Sequence, residues 1–327
     1  MGDETTDIPA RKPNYPKIAL QLVAIVIFAL MIVYFMRKYA SDISNLQHLS
    51  LKDILLIAAW SLASYTAYAY AVYVVLVALG LKRLGPIGWL KIYFVSRLAN
   101  MFVTQGGNVF RLVILKKKYN FSYTNSISVT VFLIWINALI ALFAALFILA
   151  DRRITLDAEF TSLLGWSILA VLVLMLGPLL IVWLIQHFRK SSIWQSPVLL
   201  PFRDIADFFA SIMKNVSLLS QITSLSVAHF LFFVGVNYFC FRAIGQPVGI
   251  AAVCLYTTAF VFTRYINIVP GNLGVSELVG GLVSEQIGIG FGNGVLVAGI
   301  IRIIEIMIIV SIGLIFGQLF ALSSFRK

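Results

Sequence analysis

The sequence predicts an all-α polytopic membrane protein of about eight spanning or re-entrant helices, with an inverted repeat of two broken segments. Three observations lead there. Of the 327 residues, 61% are apolar and only 12% charged, against about a quarter charged in an ordinary soluble domain. Six windows reach the length of about 20 apolar residues that a bilayer-spanning helix needs. Two more apolar stretches are interrupted by arginine, asparagine and glycine. This composition excludes a disordered chain, a disulfide scaffold and a typical water-soluble enzyme.

Residues 1–17 are polar and hold Pro9, Pro13 and Pro16, the pattern of a flexible tail. Residues 18–36 form the first span, and 37–53 a polar connection. Residues 54–79 form the second span, rich in tyrosine (Tyr65, Tyr68, Tyr70, Tyr73). Lys82, Arg83 and Lys91 follow in a Gly/Pro turn. The stretch 92–115 is apolar but broken by Arg97, Asn100, Thr104, Gln105, Gly106, Gly107, Asn108 and Arg111, and it runs into Lys116–Lys118. A helix facing lipid along its whole length would not carry these groups.

Residues 127–150 and 163–185 are spans on either side of a loop at 151–161. Residues 187–215 form a longer basic connection, with an interfacial amphipathic helix at 204–213. Residues 218–241 span again. The second broken stretch, 248–289, holds Arg264, Asn267, Pro270, Gly271, Asn272, Gly274, Glu277 and Glu285. The last span, 295–319, carries Arg302 and Glu305, and 322–327 close the chain. Residues 18–321 are thus expected to form one transporter-like membrane domain, with repeat halves at 54–150 and 218–319.

The net charge is +12. Lysine and arginine sit at the ends of apolar segments, where they set orientation and meet anionic lipid; nucleic acid is not the expected partner. If each broken stretch enters and leaves on one face, the richer basic clusters fall on one side. Both termini are then cytoplasmic in a multi-pass cell-membrane protein. Cys240 and Cys254 lack paired-ligand spacing and read as small hydrophobes.

The broken stretches resemble each other. Ser96, Arg97 and Asn100 align with Thr263, Arg264 and Asn267, and the same register pairs Gly107 with Gly274. Inverted, interrupted segments of this kind point to a substrate site near the midplane of a transporter. A helix restarting after a break presents free N–H groups that suit phosphate. Arg97, Arg111, Arg264 and Arg302 would each cost about 3 kcal/mol or more at the centre of a lipid-exposed helix, so they should face inward toward acids or substrate. Glu277 and Glu305 are the candidate acids. Arg302 and Glu305, three apart on one helix, can neutralise each other. Arg111 can alternatively reach the surface beside Lys116–Lys118.

Chemistry of the enzymatic kind has little to draw on. His48, His187 and His229 stand in no metal-binding spacing, and no P-loop, nucleophile elbow or dinucleotide fingerprint occurs. The expectation is therefore no catalytic residue, no metal, no cofactor and no enzyme activity.

The segment Ile268-Val269-Pro270-Gly271-Asn272-Leu273-Gly274-Val275-Ser276-Glu277 resembles the P-G-x-L/I-G-x-x-E element of the lysylphosphatidylglycerol synthase transmembrane family, which includes the flippase half of the bacterial multiple peptide resistance factor. Asn100, Gly107 and Arg111 resemble its earlier N…P…G…R element, and Arg302 a further recurrent arginine. The chain departs from the pattern at Val103-Thr104, where the family usually has proline, and at Asn108, where an acid often follows the glycine. The resemblance implies a lipid-translocating domain that moves aminoacylated phosphatidylglycerol, hopanoids or polyprenyl-linked glycolipids between leaflets, without synthase activity.

The expected partners are membrane lipids, anionic or phosphate-bearing. Three other readings stay open at this point: a headgroup transferase, a small-solute carrier, and a scaffold recruiting a separate lipid-modifying enzyme through 187–215. The glycine-rich segment 288–294 with Ala298 and Gly299 offers a close-packing face for a homodimer.

Overall fold

The computed structural model describes residues 47, 49–81, 83–103, 105–149, 158–187, 200–265, 272 and 274–324. The tail at 1–17, the first span at 18–36, the last residues 325–327, and Asn267, Pro270 and Gly271 of the second break lie outside the described residues. Among those described are ten α-helices and no strand. They are α1 (Leu51–Ala78), α2 (Pro86–Phe102), α3 (Gly106–Tyr119), α4 (Tyr123–Leu149), α5 (Ala158–His187), α6 (Leu200–Lys214), α7 (Val216–Ala243), α8 (Ile250–Thr263), α9 (Val275–Gln286) and α10 (Phe291–Ser324). Four of them, α1, α4, α7 and α10, are long and apolar enough to cross a membrane. The chain is a multi-pass membrane protein.

Local chemistry sets the ends. Ser50 caps α1 by accepting from the Asp53 amide at 3.2 Å, while Asp53 accepts in return from the Ser50 amide at 3.2 Å. Asn215 caps α7, accepting from the Leu218 amide at 3.1 Å. Both helices stop alike, at Gly80 (φ 96°) and Gly245 (φ 76°), with the next amide reaching back into the last turn. The Gly/Pro turn expected through Lys91 instead starts a helix. Pro86 occupies the first position of α2, where its missing N–H has no helical partner to lose. The last span continues past 319 to Ser324.

Each broken stretch is two short helices packed on one another, α2 on α3 and α8 on α9. At 17, 14, 14 and 12 residues, each is shorter than about 30 Å at 1.5 Å per residue, so none spans a hydrocarbon core alone. In the register read from sequence, the breaks match in backbone as well. Gln105 (φ 64°) and Asn272 (φ 57°) both adopt the left-handed conformation at corresponding places.

The packing repeats too. Helix α1 packs on α7; α2 lies on α10 as α8 lies on α4; α3 meets α4 as α9 meets α10; and α1 touches α4 as α7 touches α10. Along the α1–α7 seam Trp60 meets Phe232 and Phe239, whereas Tyr68, further along α1, meets His229, earlier in α7. The two helices are therefore antiparallel, and the halves α1–α4 and α7–α10 are inverted copies. Gly235 admits the Trp60 ring, which would stand 2.4 Å from an added Cβ.

Each half has its own apolar cluster. One gathers Tyr65, Trp89, Tyr93, Phe94 and Phe132; the other gathers Phe233, Phe241, Tyr256 and Phe260. In lipid such packing stabilises through close van der Waals contact rather than removal from water. The helix expected at 204–213 is α6. Its Phe208 and Phe209 stack edge-on against Phe132 of α4, so its apolar face is used inside the protein.

Candidate functional site

The second break is assembled around Glu277. Gly274 turns the chain with φ 81°, and its amide donates to Glu277 Oε2 at 2.9 Å, closing the N-terminus of α9. Arg302 of α10 meets the same carboxylate twice, Nε to Oε1 at 2.5 Å and Nη2 to Oε2 at 3.1 Å. Its Nη2 also donates to the carbonyl of Asn272 at 2.9 Å. The Asn272 side chain donates to the Thr263 carbonyl at 2.6 Å, tying the end of α8 to the start of α9. A bidentate guanidinium on a carboxylate that also caps a helix is the strong form of a charged hydrogen bond.

One turn on, Glu305 pairs with Arg264, Oε1 to Nη2 at 2.5 Å, and the Arg264 guanidinium lies 4.0 Å from the Phe233 ring centre. The expected neutralisation of Arg302 by Glu305 along one helix does not occur. Both side chains turn instead to the second hairpin, Arg302 to Glu277 and Glu305 to Arg264.

The first break is held differently. Asn100 Oδ1 accepts from the Gly107 amide at 2.7 Å. A Cβ on Gly107 would stand 1.7 Å from the Ser96 carbonyl oxygen, so the glycine is what lets α3 fold back on α2. Gly107 and Asn100 thus hold the hairpin. Arg111 does not run out to the basic cluster. Its Nη2 donates to Thr130 Oγ1 of α4 at 2.9 Å and to Asn108 Oδ1 at 3.3 Å. The Arg97 guanidinium sits 4.9 Å from the Tyr65 ring centre and 5.8 Å from that of Tyr93.

Of the residues singled out from sequence, Arg264, Asn272, Gly274, Glu277, Arg302 and Glu305 gather at one place, and Arg97, Asn100, Gly107 and Arg111 belong to the other hairpin. Glu305, paired with Arg264, also lies within electrostatic reach of Arg97 of the first hairpin. The aromatic faces of Tyr65, Tyr93 and Phe233 are the part that sequence reading missed. Only the tyrosine-rich character of α1 hinted at it. Among the described residues no group of His, Cys, Asp and Glu could hold a metal ion. The small residues offered for a homodimer are partly used within the chain: Ala298 is buried, and a Cβ on Gly294 would meet the Gly280 carbonyl at 2.3 Å.

Residues 21–313 match the family model described as the lysylphosphatidylglycerol synthase TM region. The comparisons with curated proteins and with solved structures return no match. The chain belongs to the lysylphosphatidylglycerol synthase transmembrane family, a lipid-related family of membrane domains.

Proposed function

We propose that this protein translocates a polar, phosphate-bearing lipid between the leaflets of the cell membrane, with both termini cytoplasmic and with no covalent chemistry of its own. One observation carries the reading: two inverted hairpins each carry an arginine well inside the length of a bilayer core. Arg97 and Arg264 stand roughly 16 and 21 Å along from the starts of α2 and α8, about half and two thirds of a 30 Å hydrocarbon core. Polar residues at that depth mark a pathway for a hydrophilic group, and hairpins opening from opposite faces provide the two halves of such a path. Lipid tails would stay in hydrocarbon while the headgroup passes between the halves. The family supports a lipid over a small solute.

In this scheme Arg264, Glu277, Arg302 and Glu305 hold α10 to the second hairpin, and any headgroup contact they make follows from opening those pairs. The test is reconstitution of the purified protein in vesicles carrying headgroup-labelled phosphatidylglycerol. The expected result is exchange between leaflets well above that of protein-free vesicles. Equal rates with and without protein would overturn the reading.

A further inference from the structure

The second half neutralises its own arginines, and the first does not. Among the described residues no carboxylate lies within ion-pairing distance of Arg97 or Arg111; Glu277 and Glu305 are committed to Arg302 and Arg264 at 2.5 Å each. Arg97 Nε is buried without a hydrogen-bond partner. Tyr93, only 2% exposed, likewise has no partner for its hydroxyl. Arg111 lies within electrostatic reach of Arg97, and both arginines share Tyr68 and Tyr93 as neighbours. An orphaned guanidinium N–H and an orphaned hydroxyl thus lie together on α2, the Arg97 guanidinium 4.9 Å from the Tyr65 ring centre and 5.8 Å from that of Tyr93, with Arg111 of α3 as a second positive charge in the same half.

Groups of this kind are not stable without an acceptor. An arginine cannot shed its proton to escape. A partner that carries negative charge and several acceptor oxygens pointing in different directions would suit donors that come from three side chains on two helices. A tetrahedral phosphate or phosphodiester has that form, and arginine forks bind it in bidentate fashion.

We infer that the first half holds an anion site in which Arg97, Arg111 and the Tyr93 hydroxyl receive the phosphate group of a lipid headgroup or a free phosphate. The inference rests on the translocation reading for its biological meaning but not for its test. In that scheme the two hairpins have different tasks: the first receives the headgroup phosphate, and the second, closed on itself, is a structural clamp.

The test is native mass spectrometry of the purified full chain in detergent, offered phosphatidylglycerol and diacylglycerol of the same acyl chains. Wild type should retain the phosphodiester lipid in preference. Arg97→Gln should lower that preference about tenfold or more, and Tyr93→Phe, which removes one oxygen and keeps the packing, several-fold. Excess inorganic phosphate then identifies the source: displacement of the lipid indicates a site open to free phosphate, and no displacement indicates a headgroup-only site, and either upholds it. Equal retention of both lipids by wild type, or an unchanged preference in both folded variants, overturns the site. If Arg97→Gln does not fold, Tyr93→Phe decides alone. Selective retention without leaflet exchange would retire the translocation reading and leave the site; exchange with an unchanged preference in the variants would do the reverse.

Discussion

Arg97 and Arg264 hold corresponding positions in the two halves, yet only Arg264 meets a carboxylate. The surrounding helices explain the difference. Glu305 stands on α10 where Asn137 stands on α4, equally far from the start of each helix, and Asn137 spends its amide on the Leu133 carbonyl at 2.7 Å. Nor does the first hairpin carry an acid like Glu277 after its break; Gly107 is followed by Asn108, Val109 and Phe110. The halves share one backbone plan and differ in charge. The repeated backbone plan fixes where the arginines come, and the residues around them decide which stay available. Availability, not mere presence, is what a ligand site needs.

The largest effect should come from breaking the self-contained half. Glu277 is bound by Arg302 at two atoms and by the Gly274 amide, with side-chain exposures of 18% for Arg302 and 11% for Glu277. Glu277→Gln leaves a buried guanidinium without its counter-charge, so we expect a loss of about 3–5 kcal/mol in detergent unfolding. Adding Arg302→Gln should restore part of it, since the double variant has no orphaned charge. The matching change in the other half, Arg97→Gln, removes a charge that has no carboxylate within ion-pairing distance among the described residues. It should shift stability by about 2 kcal/mol or less, the scale of a desolvated ring contact. If Arg97→Gln proves as destabilising as Glu277→Gln, the charge asymmetry between the halves is false.

A smaller effect separates the two aligned glycines. Gly107 is required by space, since an added Cβ would stand 1.7 Å from the Ser96 carbonyl oxygen. Gly274 is required by conformation, at φ 81°. Gly107→Ala must push two backbones apart and should cost about 2–3 kcal/mol, the upper range for overpacking. Gly274→Ala should cost about 1–2 kcal/mol from positive-φ backbone strain. Unfolding midpoints for the pair would check the order, and a reversed order would show that the close approach of α2 and α3 is relieved cheaply.

Much of this was legible in the sequence. Apolar runs gave the long helices to within a few residues at most ends, because a membrane imposes length and composition on every span. The register Arg97–Arg264 and Gly107–Gly274 exposed the repeat, because costly residues rarely coincide inside apolar sequence. What could not be read was who pairs with whom. Arg302 and Glu305 look like partners along one helix. Their real partners, Glu277 and Arg264, come from a hairpin 25 and 41 residues away in sequence, and only the packing of α8 and α9 on α10 brings them in. The rings of Tyr65, Tyr93 and Phe233 were hidden for a related reason. In a chain with 25 phenylalanines and 13 tyrosines, nothing local marks the few that face a guanidinium.

The smallest expected effect lies on the axis that relates the halves. Ser64 and His229 occupy equivalent positions in α1 and α7, and they bind each other: Ser64 Oγ lies 2.8 Å from His229 Nδ1, and that nitrogen lies 3.0 Å from the Ser64 carbonyl. A residue on a pseudo-two-fold axis meets its own counterpart, so this contact belongs to neither half and should persist whether or not the first hairpin is loaded. Ser64→Ala should therefore lower stability by about 0.6–1 kcal/mol, the usual size of a hydrogen bond between membrane helices. A loss of that size acting only through packing would change a leaflet-exchange rate by no more than about fivefold. A far larger change in rate than in stability would instead make the α1–α7 seam the pivot on which one half turns against the other, and the fixed-axis view would give way to a moving one.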